Sequence, residues 1–171
     1  MFSIESCPLP DGALLGAYQR NGVYTDCYRA EISGVVTYSQ YVRAFYTTSI
    51  FKLERSILKW VVSRPSSDAE VNLLAEGKIN TFAAWDVEKC CKNQLLMCDF
   101  QKRTRSWLMI EFIESKNGPR TRLYFGSAVV PIKNIKTGRS SLGFGFHALL
   151  WFHKIYSVVL LYSAKSRLME H

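Results

Sequence analysis

A chain of 171 residues with 48% apolar content is long enough to bury a core and too short for two ordinary domains. Its 21% charged and 13% aromatic residues exclude a disordered or fibrous polypeptide, and no internal period marks a repeat protein. The formal net charge of +8 is concentrated in residues 102–139, where nine basic side chains face Glu111 and Glu114, a local excess of 9 − 2 = +7. Such a segment would draw an acidic partner, a nucleic acid or an anionic lipid surface.

Residues 1–22 read as an N-terminal arm broken by Cys7-Pro8-Leu9-Pro10-Asp11-Gly12. Glu5, Pro8, Pro10 and Asp11 interrupt the apolar run a signal peptide needs. Five cysteines, at 7, 27, 90, 91 and 98, form no C-x-x-C pair, and their odd count argues against a disulfide framework; a reducing, cytoplasmic setting is the expectation.

From residue 23 to 171 a single α+β domain is expected. Tyr24 to Ile32 alternates as a strand, with Tyr24, Asp26, Tyr28, Ala30 and Ile32 on one face. Thr37 then caps a helix carrying Tyr41 and Phe45 on one side, Thr47-Thr48-Ser49 breaks it, and a second helical pattern through Leu53, Ile57, Leu58 and Val61 stops before Pro65. Ser67, with Glu70 three residues on, opens a short third helix that ends before Gly77.

Beyond this helix the chain reads as extended. Phe82 to Cys91 forms one expected strand with Trp85, Val87, Lys89 and Cys91 on a common face, so Cys90 and Cys91 point apart. Lys92-Asn93 turns the chain into Gln94 to Phe100. A further hairpin alternates through Ser106, Leu108, Ile110 and Phe112, turns at Lys116-Asn117-Gly118-Pro119, and returns through Leu123, Phe125, Ser127 and Val129. Phe144 to Tyr162 is apolar enough to raise a membrane span, but Lys154 near its centre would cost about 2.5–3.5 kcal/mol in lipid. A helix from about Phe146 to Leu168, lying in the concavity of an antiparallel sheet with one charged face, is the expected alternative.

Chemical motifs are sparse. His147 and His153 lie six positions apart, about 600° of helical turn, too far round to share a metal, and no metal or cofactor is expected. There is no G-x-S-x-G elbow, and Ser141 to Phe146 lacks the lysine and hydroxyl of a phosphate loop. Amides at the start of the last helix, with Arg139 nearby, could hold an anion. The acids that could work beside aromatic walls are Asp26 and Glu111, with His153 as a third acid–base group, although Glu111 shares a face with Arg105 and Arg122 and is expected in ion pairs. A ligand cavity between sheet and helix would be lined by Tyr28, Trp85, Leu108, Ile110, Phe125 and Ser127, facing His153 or Tyr156.

The order strand, helices, antiparallel meander and long final helix resembles the helix-grip, START-like (SRPBCC) superfamily. More narrowly, Val23-Tyr24-Thr25-Asp26-Cys27-Tyr28, Phe82-Ala83-Ala84-Trp85, Ser106-Trp107-Leu108 and Trp151-Phe152-His153-Lys154-Ile155-Tyr156 look like an uncharacterised bacterial family of the DUF2867 type. Relatives carry Tyr-x-Asp-x-Phe where this chain ends in Tyr28, and Phe-His-Arg where it has Lys154. The resemblance implies a pocket and marks Tyr24, Asp26 and His153; it implies no reaction. Three functions are compatible with these residues: a binder of a small, mostly apolar or aromatic molecule, an acid–base enzyme of hydrolase or isomerase type using the same cleft, and a binder of acidic surfaces through residues 102–139.

Overall fold

The computed structural model describes residues 4–52, 66–116, 118–130 and 144–170, and in the last of these segments side chains from residue 154 onward. The second helical pattern beyond Lys52, Pro131, Arg139 and the glycine-rich loop lie outside the described residues, as do the side chains of His147, Trp151 and His153.

The chain forms one seven-stranded antiparallel sheet and a set of helices laid mainly on one of its faces. In chain order the elements are β1 (Glu5–Ser6), α1 (Gly16–Arg20), β2 (Tyr24–Ser33), α2 (Tyr38–Tyr46), α3 (Asp68–Ala75), β3 (Thr81–Phe82), β4 (Trp85–Cys91), β5 (Gln94–Asp99), β6 (Thr104–Ser115), β7 (Gly118–Val129) and α4 (Phe144–Met169). The strand order is β1-β2-β7-β6-β5-β4-β3, so β3 to β7 form a meander and β2 joins its far edge through a long connection. β2, the meander and the long C-terminal helix match the α+β expectation, whereas β1 adds a short strand within the arm. Among the described residues no helix is long and apolar enough to cross a membrane.

Local chemistry accounts for the helix starts. Thr37 and Gln40 exchange side-chain and backbone hydrogen bonds across the first turn of α2, and Ser67 and Glu70 do the same for α3, so the amides of each first turn find partners before any tertiary contact. α2 ends at Tyr46, and Thr48 re-nucleates the chain by accepting from the Phe51 amide at 3.2 Å. Tyr41, Phe45 and Tyr46 then turn inward, where Phe45 meets Phe125 with ring centroids 4.9 Å apart.

The inner face of the sheet carries the larger core. Tyr28, Ala30 and Ile32 of β2, Leu123 and Phe125 of β7, Leu108 and Ile110 of β6, and Leu95 and Met97 of β5 pack against Tyr41, Phe45, Leu160, Leu161 and Ala164 from the helices. Covering this face is shared rather than left to one element: α4 lies over β2 and β7 and against α2, while α2 reaches β6 and α3 reaches β3. A sheet this wide exceeds the roughly 10 Å breadth that one helix covers.

Two local readings change. Phe82 to Cys91 is not one strand, because Ala83, with φ of 53°, turns the chain between β3 and β4. Within β4 the register shifts between Val87 and Lys89, so Val87 pairs with Met97 while Lys89 pairs with Leu96. That bulge sends Lys89 and Cys91 to the opposite face from Trp85 and Val87, as an inserted residue must in a two-residue period.

The outer face carries its row of charges, Glu31, Arg122 and Glu111, toward one end. At the other, Cys27, Ala128, Trp107, Leu96, Met109 and Tyr124 form a second core with Ala13 and Leu15 of the arm. Gly126 makes this possible: a Cβ there would stand 2.8 Å from the Asp26 carbonyl oxygen, 2.9 Å from Trp107 and 3.0 Å from Leu15. Gln94 fastens the arm by accepting at one oxygen from the Leu14 amide and the Trp107 indole, both at 2.9 Å, and donating to the Gly12 carbonyl at 3.1 Å.

Candidate functional site

Cross-strand register builds the site before any side chain is considered. Asp26 of β2 stands opposite Ser127 of β7, which stands opposite Ser106 of β6, which stands opposite Met97 of β5. These four share the inner face and form one row across the sheet, polar at the β2 side and apolar at the other. The adjacent row, Tyr28, Phe125, Leu108 and Leu95, is apolar apart from its phenol.

Between this part of the sheet and helices α2 and α4 lies a cavity of about 140 Å³, lined by Phe45, Phe51, Trp85, Thr104, Arg105, Ser106, Phe125, Ser127, Tyr156 and Leu160. Trp85, Phe125, Ser127 and Tyr156, four of the side chains expected to converge, therefore do so. Leu108 and Ile110 are filled into the adjacent core, and Tyr28 lies one row away. Phe45, Phe51, Ser106 and Leu160 complete the wall. Ser106 was legible from the hairpin alone: counting back from the Ser115–Gly118 pair places it opposite Ser127.

Ser127 is almost fully buried and donates both its amide, at 3.1 Å, and its hydroxyl, at 2.5 Å, to Oδ1 of Asp26. Charge-assisted bonds of this kind hold a carboxylate in place and orient the serine. Asp26 also lines an open recess of about 550 Å³ at the β2 edge, together with Ser6 to Leu9, Gln19, Tyr24, Tyr28 and Lys154. Burial, followed by the neighbouring Asp26 charge, pushes Tyr28 up to about 12 and raises Tyr24 as well, so both phenols remain protonated donors at neutral pH.

Glu111 is elsewhere. It lies on the outer face, accepting from Arg122 at 3.1 Å and from the Tyr124 hydroxyl at 2.8 Å, with nearly half of its side chain exposed. The sheet separates it from Asp26. The basic segment is likewise partly engaged: Arg120 and Arg122 pair with Glu31, and Arg105 pairs with Glu88 at 2.6 Å. Lys165, which the linear pattern did not single out, is buried in α4, where burial and then Arg120 lower its pKa against the pull of Glu31.

A wider recess of about 780 Å³ opens at the other end of the sheet, between Ile32 to Val36, α2, the start of α3 and Arg167 to Met169. Its arginines are in use, Arg43 on Glu76 and Arg167 on the Thr47 carbonyl. No group of three or more histidine, cysteine or acidic side chains suited to a metal occurs among the described residues. No protein-family model, curated protein or solved structure matches the chain.

Proposed function

We propose that the domain holds one small, mostly apolar molecule in the cavity between the sheet and the C-terminal helix, in the manner of a helix-grip protein. The observation that carries this reading is the 140 Å³ space walled by Trp85, Phe45, Phe125, Tyr156 and Leu160 with Ser127 and Ser106 on one side. An apolar cavity of roughly 150 Å³ accepts a single benzene ring, whereas drug-sized ligands occupy sites of about 300–1,000 Å³. The occupant is therefore ring-sized, and a long acyl chain is excluded from this space. Ser127, oriented by Asp26, supplies a fixed polar end, so a ring bearing one hydroxyl or amine fits better than a bare hydrocarbon.

The test is a titration of the intact protein with toluene, phenol, indole and palmitate, monitored by tryptophan fluorescence and native mass spectrometry. Saturable binding of the ring compounds and none of palmitate is expected. Ser127→Ala should weaken phenol about tenfold, the equivalent of one hydrogen bond, and leave toluene unchanged. Absence of saturable binding by every ring compound would end this reading.

Acid–base chemistry in the same cleft is the second reading, supported by the direct Asp26–Ser127 bond beside the cavity. It predicts turnover of small aryl esters that Asp26→Asn abolishes; binding without turnover would reject it.

A further inference from the structure

We propose that Cys7 and Cys27 are a peroxide-oxidisable dithiol pair that closes into a disulfide and fastens the N-terminal arm to β2. The geometry is that of a ladder extended by one residue. Ser6 pairs with Tyr28, and the next amide, that of Cys7, donates to the Cys27 carbonyl at 3.0 Å. The two sulfur atoms stand 3.5 Å apart. Opposed residues of an antiparallel pair have Cα atoms about 4.5–5.5 Å apart, inside the roughly 4.4–6.8 Å that a disulfide spans. Side-chain rotation alone can therefore bring the sulfurs to bonding distance.

The two thiols differ in access and charge. Cys27 is 3% exposed and belongs to the outer-face core, whereas Cys7 is partly exposed on the 550 Å³ recess, where a small oxidant arrives first. The contact between the two thiols, with positive charge from Arg29 and Arg122, outweighs burial and Glu5 and lowers the Cys7 pKa, while the same contact and burial raise that of Cys27. Cys7 is thus the attacking thiolate and Cys27 the resolving group. The Cys7 thiolate attacks one oxygen of hydrogen peroxide, the O–O bond breaks, and a sulfenic acid and hydroxide form. The Cys27 sulfur then attacks the Cys7 sulfur, the S–O bond breaks, and water leaves, the displaced oxygen and hydroxide taking up both thiol protons. Two thiols are oxidised by two electrons and one peroxide is reduced to two waters.

The other cysteines offer no equal pairing. Cys90 and Cys91 pair with consecutive residues of β5 and so point to opposite faces, and the Cys98 thiol is held on the Asp99 carbonyl at 3.3 Å. Closing Cys7 to Cys27 would lock one wall of the recess and the first residues of the arm that covers Trp107.

The intact, folded protein is treated with stoichiometric hydrogen peroxide, alkylated and digested with trypsin. The expected result is a fall in titratable thiols from five to three, and a peptide joining residues 1–20 to residues 21–29 through Cys7 and Cys27. The Cys90→Ser/Cys91→Ser double variant should retain that junction. Cys7→Ser, a change at a partly exposed position, should fold and leave Cys27 alkylatable after peroxide. Oxidation confined to Cys90 and Cys91, or over-oxidation of Cys7 with Cys27 still alkylatable, would overturn the proposal.

Discussion

The two faces of the sheet are built from the same strands and held by different means. The inner face is covered by helices over an interlocked set of aromatic rings, with Phe45 of α2 contacting Tyr41, Tyr46, Phe51 and, on β7, Phe125. The outer face is covered by a short arm that contributes Ala13 and Leu15 and depends on one glycine and one glutamine for its seat. Area dominates the first and fit dominates the second. A face closed by area should lose stability in proportion to the volume removed, whereas a face closed by fit should fail at single atoms.

The largest effect should come from the inner face. Phe45→Ala is expected to cost about 3–5 kcal/mol, enough to threaten the folded state of a domain whose total stability is of order 5–15 kcal/mol; urea unfolding measures it. On the outer face, Gly126→Ala adds a single methyl yet meets backbone and two side chains at or below 3.0 Å. A loss of about 1–3 kcal/mol is expected, with proteolytic cleavage appearing first between residues 8 and 23. If Gly126→Ala unfolds the whole sheet without freeing the arm, the two faces are one cooperative unit and the contrast fails.

Gln94→Leu should rank next, at about 1–3 kcal/mol, because it leaves the Leu14 amide, the Gly12 carbonyl and the Trp107 indole without the partners they now share. Amide exchange at Leu14 is the direct readout. The smallest effect belongs to the charged end of the outer face. Arg122 hydrogen-bonds Glu31 and, with Arg120 and Arg29, holds its pKa below the ordinary carboxylate value despite partial burial. A depressed folded-state pKa means that the unfolded chain takes up its proton first as the pH drops. The contribution is therefore complete above the ordinary carboxylate pKa and is lost as the pH falls through the lowered one. Glu31→Gln should remove about 0.2–1 kcal/mol at neutral pH and flatten the acid limb of a stability profile.

Legibility in the sequence tracks the range of the interactions. The capping boxes at Thr37 and Ser67 join residues three positions apart, and the inner-face alternation is written along each strand, so both could be read directly. The bulge between Val87 and Lys89 could not, since one inserted residue leaves no compositional mark. The arm was equally opaque: its Pro/Gly-broken segment has no period, and Leu14 meets Gln94 from 80 positions away. At the candidate site, alternation placed Trp85, Phe125 and Ser127, and helical reading placed Tyr156. Ser106 needed the hairpin register, and Phe45 needed the packing of α2 on the sheet, which no strand pattern contains. The side chain of His153 lies outside the described residues, and Glu111 turned outward to arginine, as its neighbours on that face foretold.

The seam between β2 and β7 carries a consequence for how the chain reaches this state. Ser115 and Gly118 of the last hairpin are three residues apart, but Asp26 and Ser127 are separated by 101. Closing a loop of that length costs entropy before its ladder returns any, so the meander from β4 to β7 can nucleate locally while β2 must wait. The Asp26–Ser127 pair, which orients the serine in the cavity wall, is therefore expected to form last, and pulsed hydrogen exchange should find β6 and β7 hairpin amides protected ahead of those in β2. A ring-sized ligand, if bound as proposed, would then reward completion of the sheet: it would slow unfolding by stabilising the seam and leave the rate of hairpin formation untouched.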